Sequence, residues 1–117
     1  MRTVLKPWGR EVIFAENELY AGKILHLSAG HSLSLQYHER KDETIYVLEG
    51  QLQLLVEVEG DMRELTLQPG EAYRIRPGMR HRMRAERACM ILEVSSPELD
   101  DVVRLEDAYG RAGTKAP

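Results

Sequence analysis

Apolar and polar positions alternate with a period of two through most of the chain, in short, closely spaced runs. KPWG reads as a turn and is followed by two apolar runs, REVIFA and LYAGKILHLS, separated by the polar stretch Glu16 to Glu18. Leu33, Leu35 and Tyr37 then alternate with Ser34, Gln36 and His38, and a polar turn, Glu39 to Asp42, reverses the chain into ETIYVL. GQLQLLVEVEG and MRELTLQPG read as a hairpin with Gly60-Asp61 at its turn and one buried and one wet face. EAYRIRPG, RHRMRA and ACMILEVSS complete the series. Together these give about nine strands at hairpin spacing, the pattern of an all-β antiparallel sandwich or small barrel. The pattern predicts one short helix, at the C-terminal end. SSPELDD supplies a proline and acidic residues at a helix start, and VVRLEDAYGR is amphipathic, with Val102, Val103 and Leu105 able to dock on the barrel. Residues 112–117 are expected to form a disordered tail.

Chemistry concentrates between Gly30 and Gly50. A period-two strand projects Gln36 and His38 from one face, two positions apart, where they can chelate one ion. Glu43, at the start of the next strand, returns a carboxylate toward the same place. His81, which follows the turn-forming Pro77-Gly78 at the start of HRMRA, is the natural distant ligand.

The spacing of these residues resembles that of the cupin superfamily. The first cupin motif is matched by Gly30, five residues, Gln36-x-His38, four residues, Glu43, six residues and Gly50. Gln36 stands where that motif has its first His. The second motif is matched by Gly70 and RPGMRH, with Arg76 at the first Pro position, then Gly78 and His81; Ala85 stands at the position of its closing Asn. LSLQYH, the opening KPWGREVIF and the ending DDVVRLEDAYGR look like the carboxy-terminal cupin domain of bifunctional mannose-6-phosphate isomerase/mannose-1-phosphate guanylyltransferases. The resemblance spans nearly the whole chain and implies an antiparallel jelly-roll barrel. It also implies one divalent transition metal (zinc, manganese, cobalt, nickel or iron) on Gln36, His38, Glu43 and His81.

Length and composition set limits. The chain has 117 residues and reads as a single domain, too short for a nucleotidyltransferase half, and it carries no Gly-rich phosphate loop, so guanylyl transfer is not expected. A net charge of -3 argues against a nucleic-acid or polybasic membrane partner and leaves a small molecule as the expected one. One cysteine, no signal-peptide pattern and no long apolar run point to a cytoplasmic protein. Cys89, inside ACMILEV, reads as a buried small hydrophobe, and Trp8 as packing over a barrel end or an interface. Small β domains with exposed edges gain from pairing, so a homodimer is expected.

Several cationic residues are candidates for the site. Lys23 sits inside a strand. Pointing inward it needs an anionic partner, for which a sugar phosphate would serve; pointing outward it is a solvated lysine. Arg80, Arg82 and Arg84 must point outward if His81 and Met83 point inward. Arg104 or Arg111 can close over a phosphate, or can form an ion pair with Glu106 or Asp107. His26 reads as a packed or edge residue, and His31 as exposed after the Ala29-Gly30 turn.

The resemblance implies an aldose-ketose isomerase in which the metal polarises the sugar carbonyl or hydroxyl, assists removal of the neighbouring carbon-bound proton and stabilises the enediolate. Glu39 and His31 are nearby candidates for the base. In the related enzymes the stretch before the Glu resembles HHHRAEHW; here it is HERKDETI, with Lys41 in place of that arginine and Arg40 one position earlier. Lys41, Arg104 and Glu39 are the expected catalytic residues, and Lys23, Arg40 and Arg111 the expected contacts to a sugar phosphate. Lysine supplies the charge without the guanidinium fork, which keeps a second class open: a non-catalytic barrel binding a sugar or small acid. The same ligand set also permits dioxygenase or decarboxylase chemistry.

Overall fold

The period-two alternation becomes twelve β-strands, and the computed structural model describes residues 1–112, among which there is no helix. In chain order they are β1 (Arg2–Lys6), β2 (Gly9–Glu16), β3 (Ala21–Leu27), β4 (His31–Ser32), β5 (Leu35–Tyr37) and β6 (Glu43–Glu49). They continue as β7 (Leu52–Val58), β8 (Asp61–Leu67), β9 (Ala72–Ile75), β10 (His81–Ala85), β11 (Cys89–Ser95) and β12 (Val103–Glu106). One sheet has the order β1-β2-β3-β11-β6-β9; the other runs β12-β5-β10-β7-β8, with β4 also on β10. The pairings are antiparallel, and consecutive strands repeatedly cross between sheets, giving a jelly-roll barrel.

The inward positions change character along the strands. On β3 they run Lys23, Leu25, Leu27; on β11, Glu93, Ile91, Cys89; on β10, His81, Met83, Ala85; on β6, Glu43, Ile45, Val47. Each series starts polar at one end of the barrel and becomes apolar toward the other. Leu25, Leu27, Ile45, Val47, Ile91 and Met83 belong to one buried cluster with Leu52, Leu54, Val56 and Trp8. Each such side chain stabilises by roughly 1.5–3 kcal/mol when fully buried. This apolar half carries the fold, so the polar half can be given over to a site. Cys89 is a free, buried thiol, pushed up to about 11 by its burial, in keeping with a packing role.

Two turns differ from or sharpen the sequence expectation. The β7–β8 hairpin turns on Glu59-Gly60, one residue earlier than the Gly60-Asp61 predicted, because Asp61 already pairs with Val58. Glu59 and Gly60 both have positive φ, 53° and 85°, the conformation whose twist suits a two-residue hairpin. At Arg76–Met79 the Met79 N–H donates to the Arg76 carbonyl at 3.1 Å, with Pro77 second and Gly78 third at φ 79°, as a type II turn requires.

The predicted C-terminal helix is not there. Val103–Glu106 is a strand, β12, paired with β5 through Val103↔Tyr37 and Arg104↔Gln36. Val102 and Arg104 are buried and Leu105 is 42% exposed, a period of two, so Val102 docks on the barrel and Leu105 does not. Two β-branched valines and the open edge of β5 outweigh the helix-start pattern upstream. Beyond it, Asp107 accepts the N–H groups of Tyr109 and Arg111, and His31 Nδ1 meets Tyr109 Oη at 2.6 Å with the rings stacked. His31, expected to be exposed, is thus half-buried and holds this segment on the barrel. Of the predicted disordered tail, residues 113–117 lie outside the described residues.

Candidate metal centre

His38, Glu43 and His81 converge at the polar end of the barrel, all three buried, with their ligand atoms within 4.8 Å of one another. His38 Nε2 is 3.6 Å from Glu43 Oε2, and His81 Nε2 is 3.7 Å from Glu43 Oε1. The backbone explains the convergence. His38 follows β5 and Glu43 opens β6, with the polar loop between them, while the type II turn brings in β10: the Gly78 N–H donates to the His38 carbonyl at 2.7 Å.

Both imidazoles are oriented through their other nitrogen. His38 Nδ1 faces the Asp101 carbonyl at 2.5 Å, and His81 Nδ1 faces the Met79 carbonyl at 2.9 Å. A carbonyl can only accept, so each Nδ1 carries the proton and each Nε2 presents a lone pair to the centre. Burial lowers the His38 pKa, with Lys41 and His81 adding to the effect and Glu43 opposing it, which favours the neutral, ligating form. Gln36 lies beside His81 in the sheet register and lines the same cavity. Its Nε2 donates to the Ser34 carbonyl at 3.4 Å, so the amide oxygen is the atom it offers a cation.

The donor set fits a divalent ion. Glu43 is buried with one oxygen toward each imidazole, so its carboxylate is placed to join both in holding one cation. Two imidazoles, a carboxylate and an amide oxygen, with no thiolate, suit a borderline divalent metal.

Lys41 stands next to the ligands. Its ammonium is 2.9 Å from Glu43 Oε2 and donates to Glu93 Oε2 at 3.0 Å. Burial works against this charge, but Glu93 and Glu43 together raise the Lys41 pKa, so the group stays an ammonium. The pattern continues across the inner face of the first sheet. Glu93 is 4.0 Å from Lys23, Lys23 3.4 Å from Glu11, and Glu11 4.0 Å from Lys6, so positive and negative groups alternate from β6 to β1. Lys23 is therefore an inward lysine whose anionic partners are supplied by the chain itself.

Asp101 fixes the loop between His38 and Glu43. Its carboxylate accepts the backbone N–H groups of Glu39, Arg40 and Lys41 at 3.0, 2.6 and 2.9 Å. These hydrogen bonds hold its carboxyl below the usual range although burial pulls the other way.

The cavity in front of the ligands has a volume of about 60 Å³, and Lys23, Lys41, Arg104 and Arg111 line it. Glu39 and Arg40 do not reach it. Both are exposed, because the Asp101 clamp turns that part of the loop outward. The expected roles of Glu39 in catalysis and Arg40 in substrate binding therefore have no geometric support here. Arg111 lines the cavity while paired to Asp107 through two bonds of 3.0 Å, combining the two alternatives open for it. Arg80 and Arg84 point outward to Glu57 and Glu64, and Arg82 Nε donates to the Leu33 carbonyl, as the outward stripe predicts.

Lys6, Glu11, Glu93 and Asp101 were not anticipated. Glu11 and Glu93 leave a trace in the sequence, since each occupies an inward step of an apolar alternation, Glu11-x-Ile13 and Ile91-x-Glu93. Asp101 leaves none, because its partners are sixty or more positions away.

Residues 23–95 match the cupin domain family. The chain is 32% identical over 115 residues to mannose-1-phosphate guanylyltransferase ManC of Salmonella typhimurium (strain LT2), covering 94% of this chain and 23% of that protein. It is 30% identical over 115 residues to xanthan biosynthesis protein XanB of Xanthomonas campestris pv. campestris, covering 94% of this chain and 24% of that protein. It thus spans about a quarter of the length of these relatives. Among solved structures, KdgF from Halomonas sp. superposes with a TM-score of 0.71 at 22% identity, over 86% of this chain and 89% of that one, a likeness of fold.

Proposed function

The chain belongs to the cupin domain family, and from that premise we propose that it is a metal-dependent sugar-phosphate isomerase of the mannose-6-phosphate type. The observation that carries this reading is the pairing of the His38–Glu43–His81 cluster with a strongly cationic cavity. Among the described residues, Lys6, Lys23, Lys41, Arg104 and Arg111 line it together with Glu11, Glu43 and Glu93, and Arg111 is held by Asp107. Such a lining, rich in cationic groups, favours an anionic substrate. The similarity to the cupin region of the mannose-phosphate enzymes supports the same class.

His38, Glu43 and His81, with the Gln36 amide oxygen, would hold the ion, which supplies Lewis-acid polarisation of the sugar carbonyl. Lys41, held as an ammonium beside Glu43, donates hydrogen bonds to a developing negative oxygen and cannot itself accept the proton at neutral pH. Lys23 is a second ammonium on the same wall, oriented by Glu11. The apolar half of the barrel closes the site from below and excludes water there.

Interconversion of mannose 6-phosphate and fructose 6-phosphate by metal-replete protein, lost in His81→Ala together with the bound metal, is the expected result. Metal-loaded protein that turns over neither sugar would remove the reading. One observation favours a second reading. The cavity volume, about 60 Å³, is sized for an ion with a few waters or a small acid, and suits a barrel that binds a small carboxylate without turnover. Saturable binding of such an acid with no consumption of it would select that alternative.

A further inference from the structure

The metal ligands are shut away from solvent. His38 is 4% exposed, Glu43 2% and His81 1%, and the cavity before them holds about 60 Å³, against the roughly 300 Å³ at the small end of small-molecule sites. Whatever occupies the site, a sugar phosphate or a small acid, therefore needs a wall that moves. Much of the lining is fixed: Lys23 on β3, Glu93 on β11, Glu43 on β6 and His81 on β10 sit on strands paired on both sides. One wall is different, the stretch that supplies Leu99, Val102, Arg104 and Arg111. Its first part is anchored by Asp101, and Arg104 by its pairing with Gln36. Past Arg104 the anchoring weakens, because β12 has a neighbour on one side, its register shifts between Arg104 and Glu106, and the strand ends there.

The run from Asp107 to Arg111 is built as one piece. The N–H groups of Tyr109, Gly110 and Arg111 all donate to Asp107, at 3.3, 3.4 and 2.7 Å, and two bonds of 3.0 Å fix the Arg111 guanidinium on the same carboxylate. The run therefore keeps its own shape instead of taking it from a sheet. Asp107, Tyr109 and Arg111 are half-buried, while Ala108 and Gly110 between them are exposed. Tyr109 fastens the piece to the barrel. Its hydroxyl meets His31 Nδ1 at 2.6 Å, and the two rings stack with centroids 5.9 Å apart. His31 is a fixed point, since β4 is paired to β10 through Ala85.

We infer that Asp107–Arg111 is a cap over the metal centre, latched by Tyr109 on His31 and hinged after Arg104, and that it swings out as one piece to admit and release what binds there.

A hydrogen bond and a ring contact can hold such a piece closed and still break on the timescale of loop motion. Because Tyr109 and Arg111 are both fixed on Asp107, and the Arg111 guanidinium lies 5.8 Å from the Tyr109 ring centroid, freeing Tyr109 carries Arg111 out of the cavity lining with it. The inference goes beyond the isomerase reading and holds equally for a non-catalytic barrel, so its test uses no turnover.

Trypsin cleavage of the Arg111–Ala112 bond, followed by mass spectrometry, reports opening, because the protease must take the Arg111 side chain out of the lining. Wild type should be cut slowly there. His31→Ala, which removes both the hydrogen bond and the stack, should speed this cut about ten- to a hundredfold, and Tyr109→Phe, which keeps the stack, by roughly three- to tenfold. Cleavage after Arg82, within β10, should not change, which separates opening of the cap from unfolding of the barrel. Zinc provides the second readout. Its release into excess chelating dye and its capture by metal-stripped protein should both quicken in the two variants by similar factors, with the dissociation constant unchanged, because a cap gates passage in both directions. Equal cutting after Arg111 in wild type and both variants overturns the inference. So does zinc affinity that falls while capture rates stay the same, which would make the contact a support for the ligands. Tyr109→Phe lacks only the hydroxyl, so it carries the test where His31→Ala fails to fold.

Discussion

Lys41 Nζ lies 2.9 Å from Glu43 Oε2, so the carboxylate that faces both His38 and His81 is shared between the metal ligands and a buried ammonium. The same ammonium holds Glu93 at 3.0 Å. Removing it has two opposite effects. Lys41→Met takes the ammonium from buried Glu43 and leaves Glu93 to Lys23 at 4.0 Å, and is expected to destabilise the metal-free protein by about 3–5 kcal/mol. It also removes a positive charge beside the ion, so affinity for zinc should rise by on the order of tenfold or more. Urea unfolding of the metal-free variant and competitive zinc titration measure the two effects. A variant that loses both stability and zinc affinity would contradict this account of Lys41.

Asp101 is a positioning residue for the ligand cluster, holding His38 and the loop that follows it. Its carboxylate gathers three consecutive N–H groups, and its main-chain carbonyl receives His38 Nδ1. Asp101→Ala keeps the carbonyl but frees the loop, so His38 and Lys41 lose their placement relative to Glu43. Zinc affinity should fall about tenfold, at the lower end of the range for groups that orient metal ligands. The thermal midpoint of the metal-free protein should move less than for Lys41→Met, because the loop's N–H groups can turn to water. Unchanged zinc affinity in Asp101→Ala would remove the positioning role.

The barrel and its ligands were legible because their signals are local. Period-two alternation marks the strands, and Gln36-x-His38, Glu43 and His81 stand at motif spacing around turn residues. What the sequence left hidden is what depends on partners far along the chain. VVRLE shows an amphipathic pattern, and only the open edge of β5 decides that it is a strand with Arg104 inward. Glu39 is as near to His38 in sequence as a residue can be, yet it faces solvent because Asp101, 62 positions away, turns the loop outward. Lys6 reads as part of a turn motif, and only the folded barrel places it, at the end of β1, in the lining of the cavity.

The charge ladder makes stability depend on acid. Burial pushes the Glu93 carboxyl up, but Lys41 and Lys23 overcome this and bring it to about 2, below the ordinary 4.5. A carboxyl depressed on folding contributes stability that is present above its unfolded pKa and is lost as pH falls through the folded one. For Glu93 that window runs from 4.5 down to about 2. Wild type should lose stability across it, and Glu93→Gln should lose less while starting lower at neutral pH. Denaturant midpoints collected over this range for both proteins check the sign. Parallel curves would show that Glu93 is not coupled to its lysines.

The outer face of the first sheet bears on oligomeric state. Val12, Ile24, Leu92 and Tyr46 are direct cross-strand partners on β2, β3, β11 and β6, forming one apolar row on the side away from the core. Phe14, Leu48 and Val94, 43%, 36% and 50% exposed, add to it. Four strands at their usual spacing, with two or three alternate residues along each, give an apolar patch on the order of 300–400 Å². That is within the range of the largest apolar patch on a monomer, which is often a contact site, and about half the area a standard interface buries per partner, so a polar rim would have to supply the rest. A second copy related by a two-fold axis presents the same row, so the face is complementary to itself and suits sheet-on-sheet packing. This face is where a second copy of the chain would dock in the expected homodimer. Light scattering should give twice the chain mass for wild type, and Leu92→Glu with Val94→Lys should give a folded monomer whose zinc content is unchanged. A wild-type monomer at every concentration tested, or a dimer indifferent to these substitutions, would direct this face to another partner or move the dimer contact elsewhere.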